Sequence, residues 1–128
     1  IEVSTFSIHP SQKEILDINI NTALSEGQGV VLTIDGIRAC ASETTSKASV
    51  QLVNPATPSS GNIIISEIMA DESPTVLLPE SEYIEIYNRT QSWLELQGTT
   101  LTDATSTATV SGSALLPPKS FMILCTSS

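Results

Sequence analysis

Six of the 14 acidic residues lie between positions 67 and 85: Glu67, Asp71, Glu72, Glu80, Glu82 and Glu85. Hard cations such as calcium take several oxygen ligands at once, so Glu67, Asp71, Glu80 and Glu82 form a candidate calcium set. Their spacing matches no EF-hand loop, in which acids alternate around a fixed glycine. Glu67 and Glu85 fall on strands that could be neighbours, which would bring two carboxylates together. Paired carboxylates can hydrolyse a glycosidic bond, but the short loops here argue for no deep cleft. Tyr83 and Tyr87 share a strand face with Glu85. Aromatic rings beside a carboxylate can form a sugar platform, so Tyr83, Glu85 and Tyr87 are the candidate ligand-binding residues. The plainer expectation is a solvated acidic edge that discourages aggregation, with the tyrosines packed on a neighbouring strand.

Nucleophilic catalysis needs a base beside the nucleophile. The single histidine, His9, precedes Pro10 in an expected turn, so a Ser–His–Asp triad has no foundation. Gly27 and Gly29 lie between strands with no helix following, unlike a phosphate loop. Two cysteines, Cys40 and Cys125, and one histidine cannot build a zinc site. The thiols either pair or stay separate and buried as small hydrophobes. Asn88-Arg89-Thr90 matches a glycosylation acceptor, a short pattern that is frequent by chance. No residue is assigned a catalytic role, no cofactor is expected beyond the calcium candidate, and the chain is read as non-enzymatic.

The net charge of −9 repels the phosphate backbone and anionic bilayers, which disfavours nucleic acid and membrane surfaces as partners. No apolar run approaches the ~20 residues that span a bilayer. The chain starts at Ile1 with neither methionine nor signal peptide, so a processed form or an excised fragment is expected.

These side chains must be positioned by strands. Aromatics are scarce, so Ile, Val and Leu build the core, and such types suit pleated sheets. Period-two alternation runs through Leu16, Ile18 and Ile20, through Val30, Leu32 and Ile34, and through Ala48, Val50 and Leu52. Ile63-Ile64-Ile65 opens an apolar run that predicts a central strand. Tyr83-Ile84-Glu85-Ile86-Tyr87 alternates cleanly, and Phe121-Met122-Ile123-Leu124-Cys125 forms the last strand. One helical turn is expected over residues 11–16. Two prolines and small polar residues mark 55–61 as a linker. The expected architecture is all-β, an immunoglobulin-like β-sandwich in two partial modules, 1–54 and 62–128.

The second module resembles a lamin tail domain. The residues that carry the likeness are Ile64-Ile65-Ser66-Glu67-Ile68-Met69-Ala70, Glu82-Tyr83-Ile84-Glu85-Ile86-Tyr87-Asn88, Leu94-Glu95-Leu96-Gln97-Gly98, Leu101-Thr102-Asp103 and Leu116-Pro117-Pro118-Lys119-Ser120. Thr99 stands where the family usually has tryptophan, and the copy looks truncated at its C-terminus. Gly98 permits a tight turn, and Asp103 can close the next turn with its own side chain. Residues 1–54 look like the end of a bacterial Ig-like domain of S-layer type, on Leu24-Ser25-Glu26-Gly27-Gln28-Gly29-Val30-Val31-Leu32-Thr33-Ile34-Asp35-Gly36-Ile37. The turn after it departs from that family at Ala39, Ser42 and Glu43. Unfinished modules leave open edges, so the halves are expected to dock or share a sheet, with an edge-strand dimer as the alternative.

These resemblances imply a non-catalytic structural, adhesion or protein-interaction module of a secreted or cell-surface bacterial protein. It would be extracellular, at the cell surface or in the periplasm, with a protein or glycan partner. The alternative is a carbohydrate- or calcium-binding accessory domain of a larger exported enzyme.

Overall fold

The computed structural model describes residues 2–12, 15–38, 45–70 and 82–125, and every regular element among them is a strand. In the first half, β1 (Val3–Ile8) pairs antiparallel with β2 (Leu16–Ile20), and β3 (Gln28–Arg38) with β4 (Thr45–Asn54). The predicted alternation sets the second register: Val30, Leu32 and Ile34 lie opposite Leu52, Val50 and Ala48. Where a helical turn was expected, the Ile15 amide donates to Gln12 O, and Leu16 then enters β2.

In the second half, β5 (Ile63–Met69), β6 (Tyr83–Asn88) and β11 (Phe121–Cys125) form one antiparallel sheet in the order β11–β6–β5. Two short strand pairs lie on its inner side. They are β7 (Leu94–Glu95) with β10 (Leu115–Leu116), and the hairpin of β8 (Thr100–Thr102) and β9 (Thr107–Thr109). The buried core is Ile86, Leu94, Leu96 and Leu116, with Ile63, Ile84, Met122 and Leu124 packed against it. Full burial of such a side chain contributes about 1.5–3 kcal/mol, so this cluster anchors the second half. By contrast β1 is exposed along its whole length, with Phe6 73% accessible.

The apolar run of β5 predicted a central strand, but among the described residues β5 is an edge and β6 is central. A β-bulge explains how β5 keeps its pattern: the register slips between Ile65 and Glu67, leaving Ser66 as the extra residue. Ile65 and Ile68 therefore both stay on the inner side, opposite Ile86 and Ile84, while Glu67 turns outward opposite Glu85.

The stretch 55–61 is held at one point. Ala56 forms a parallel bridge with Leu94, its amide donates to Trp93 O (2.9 Å), and its carbonyl accepts from Glu95 (3.0 Å). One residue pair away, the Trp93 amide donates to Gly27 O (2.8 Å) and the Gly27 amide to Asn54 O (2.7 Å). Gly29 of β3 lies under the Trp93 indole, where a Cβ would come within 2.3 Å of Nε1. Among the described residues, the N-terminal half is thus joined to the second half through the Trp93–Gly27 backbone bond and one aromatic ring.

Asp103 closes the β8–β9 turn as its position predicts. One carboxylate oxygen accepts from the Thr105 and Ser106 amides, both at 2.7 Å. These bonds favour the charged form and lower its pKa from 3.8 to about 2. A depressed carboxyl supports the fold above its unfolded value and loses that support as pH falls through its folded value. Hairpin order is therefore expected to hold at pH 4 and to weaken towards pH 2. Carboxyl-detected NMR should place the Asp103 midpoint near 2. In Asp103→Asn, amide protection relative to intrinsic exchange across β8 and β9 should be lower and should no longer change over that window.

Candidate functional site

Strand β6 divides its side chains by alternation. Ile84, Ile86 and Asn88 point into the sandwich, and Tyr83, Glu85 and Tyr87 point out. The register adds neighbours from both flanking strands. Ile64 and Phe121 lie beside Tyr87, Glu67 and Ile123 beside Glu85, and Met69 and Cys125 beside Tyr83. The outer face thus has an apolar stretch, where Ile64 is 42% and Phe121 and Ile123 are each 58% exposed, next to two carboxylates. The Tyr87 and Phe121 rings are tilted against each other, with centroids 4.6 Å apart.

The three candidate ligand-binding residues therefore share one face, though each is engaged within the chain. Tyr83 Oη donates to Glu67 Oε1 at 2.6 Å, and that bond is the main reason its pKa is raised. Ser66, the bulge residue, donates to Glu85 Oε1 at 2.7 Å. Of the calcium set, Glu67 lies on the outer face and Glu82 is exposed just before β6, while Asp71 and Glu80 lie outside the described residues. Among the described residues no group of three or more His, Cys, Asp or Glu side chains converges on a metal-sized site. Cys125 is exposed rather than buried, because it falls on the outward phase of β11; Cys40 lies outside the described residues.

Side chains that received less weight in the sequence carry the local architecture. Asn88 is fully buried. Its Nδ2 donates to Ser92 O (2.8 Å), Pro117 O (2.9 Å) and Leu116 O (3.2 Å), and its Oδ1 accepts from the Thr90 amide (2.8 Å) and hydroxyl (2.7 Å). The acceptor-like pattern at 88–90 is thus a structural knot, and its amide nitrogen is not open to modification in the folded chain. Placing Asn88 in phase with Ile84 and Ile86 could have revealed this, because an amide on the inward phase of a strand must find partners. Glu95 does similar work at the surface. Its Oε1 accepts from the Ala114 amide (2.8 Å) and the Gln97 amide (3.0 Å), and its Oε2 from Ser113 Oγ (2.9 Å). These bonds, the one from Ala114 foremost, lower its pKa.

Antiparallel sheets, a small aliphatic core and no helix among the described residues define an immunoglobulin-like β-sandwich. Residues 56–128 match the family model of the Lamin Tail Domain, and the chain belongs to that family. The match takes in Ala56, which bridges to Leu94, and so starts inside the stretch expected as a linker. Lamin tail domains are Ig-like, non-enzymatic interaction domains. No curated protein and no solved structure matches the chain.

Proposed function

We propose that the chain is a non-catalytic interaction and spacer module of a secreted or cell-surface bacterial protein, in which residues 1–54 are the end of a bacterial Ig-like domain of S-layer type. The observation that carries this reading is the lamin-tail match over 56–128. The uncovered outer face fits it, because contiguous exposed apolar side chains rimmed by charge are typical of interaction sites. Scarce basic residues and a net charge of −9 suit an exported, soluble surface module. Fractionation of the source cells with an antibody to the chain tests the location, and ester, phosphate and glycoside substrate panels test the lack of catalysis. Recovery in the extracellular, surface or periplasmic fraction with no turnover is expected. Retention in the cytoplasm, or turnover above buffer, overturns the reading.

A second reading, a carbohydrate- or calcium-binding accessory domain of a larger exported enzyme, draws on the Tyr87–Phe121 ring pair beside Glu85. A glycan array separates the two: specific binding lost on Tyr83→Ala supports the accessory role, and an empty array rejects its carbohydrate form.

A further inference from the structure

We propose that the outer face of the β11–β6–β5 sheet is a two-fold docking surface for a second copy of this chain. The proposal rests on the interaction-module reading and adds the partner.

Two of the five basic residues in the whole chain, Arg89 and Lys119, flank this face at one end. The Arg89 amide donates to Asn62 O (2.8 Å), so the ladder and its alternation run one residue past β6. The phase that turns Glu85 and Tyr87 outward therefore also turns Arg89 outward. Lys119 Nζ donates to the Arg89 carbonyl, which fixes the second cation beside the first. On the opposite side of Tyr87, Glu85 and Glu67 lie side by side on adjacent strands, with Ile123 at the same level and Tyr83, Met69 and Cys125 beyond them. Between the two charged levels lie Tyr87, Ile64 and Phe121, all at one level of the sheet.

Along β6 the outward order is Glu85, Tyr87, Arg89, which is charge-complementary to itself reversed. A two-fold axis crossing the strands at Tyr87 stacks Tyr87 on Tyr87, Ile64 on Ile64 and Phe121 on Phe121. The same operation sets each Glu85 over the partner copy's Arg89. Such isologous pairing is how most homodimers close, and stacked sheets pack with strands roughly 30° apart. A net charge of −9 on each copy opposes any approach without local pairing, which favours this one orientation. A patch three strands wide is at the low end of stable interface sizes, so the dimer is expected to be weak, with a dissociation constant of about 0.1 mM.

Sedimentation equilibrium on the full chain up to about ten times that concentration tests the proposal. The wild-type chain should show a monomer–dimer equilibrium. Arg89→Glu alone and Glu85→Arg alone should each weaken it by about tenfold or more, because like charges then face each other twice. Mixing the two variants should restore dimers, since both contacts across the axis become opposite in sign. Ile123→Ser, which removes exposed apolar surface without touching the core, should also weaken association while leaving the thermal midpoint unchanged. A wild-type chain that stays strictly monomeric overturns the proposal. So does a mixture no more associated than its components. Dimers that survive Ile123→Ser and Arg89→Glu but are lost in Ile68→Lys would overturn it in favour of pairing along the β5 edge. None of these outcomes bears on export or catalysis, which stand on the separate tests above.

Discussion

Replacing Asn88 by alanine is expected to destabilise the chain by about 3–5 kcal/mol, the range for breaking a buried polar network. The side chain is fully buried and ties three segments together: the end of β6, the loop at 90–92 and the stretch at 116–117. Alanine removes both sides of this exchange. The carbonyls of Leu116, Ser92 and Pro117 lose a donor, and the Thr90 amide loses its acceptor. Each buried group left unsatisfied costs about 1–3 kcal/mol, and the costs are shared rather than additive. A domain with a total stability of about 5–15 kcal/mol keeps little after such a loss. Asn88→Asp should be worse at neutral pH, because it aims a carboxylate at three carbonyl oxygens. Burial and those dipoles raise the folded pKa of the introduced carboxyl above its unfolded value of about 3.9. Its penalty is therefore smallest below pH 4 and grows as pH rises. Urea unfolding followed by the fluorescence of Trp93, the single tryptophan, measures both variants. Asn88→Ala within 1 kcal/mol of wild type would show that the network is dispensable.

The features legible in the sequence were those with a short physical range. Alternation in Leu16–Ile20 and Tyr83–Asn88 marked strands correctly, because which face a side chain takes depends only on its neighbours along the strand. Asp103 was recognisable as a turn closer for the same reason, since its partners are two and three residues away. The neighbouring strands of Glu67 and Glu85 were also within reach, and the structure sets the two residues opposite each other. The place of β5 in the sheet was not. Three consecutive isoleucines fit a central strand and equally an uncovered edge, and the choice depends on which distant strands pair. The bulge at Ser66 was invisible for the same reason, although it decides that Glu67 faces out and Ile68 faces in.

At the site, the outward trio Tyr83, Glu85 and Tyr87 followed from alternation alone. Their engagements did not. Tyr83 bonds Glu67 across the sheet, and Tyr87 meets Phe121 from a strand more than thirty residues later. Weight placed on acids as possible ligands drew attention away from Glu95, whose acidity serves backbone amides. Asn88 stood in the sequence as part of a chance acceptor pattern and a family motif, but its phase put it in the core, where its Oδ1 also closes a turn onto the Thr90 amide.

The contact least predictable from the sequence gives the second large effect. Gly27→Ala is expected to cost about 2–4 kcal/mol, from backbone strain together with overpacking. Gly27 has φ +79°, a conformation that L side chains resist, and an added Cβ would come within 2.6 Å of both Ser92 Cβ and Oγ. Ser92 cannot easily give way, because its carbonyl accepts from Asn88 and its amide donates to Thr90 Oγ1. Gly29→Ala has no strained φ but meets the indole at 2.3 Å, so about 1–3 kcal/mol is expected from overpacking alone. The two sites separate in the background of Trp93→Ala. Removing the indole should relieve most of the Gly29→Ala cost, giving a coupling of about 1–2 kcal/mol, within the range for contacting residues. It should leave the Gly27→Ala cost nearly unchanged, because Ser92 and the positive φ remain. Thermal melts by circular dichroism on the three single and two double variants measure this directly. Additive costs for Gly29→Ala and Trp93→Ala would mean that β3 does not rest on the indole. Among the described residues, the N-terminal half would then rest on the backbone bond from Trp93 to Gly27 and the close approach of Gly27 to Ser92.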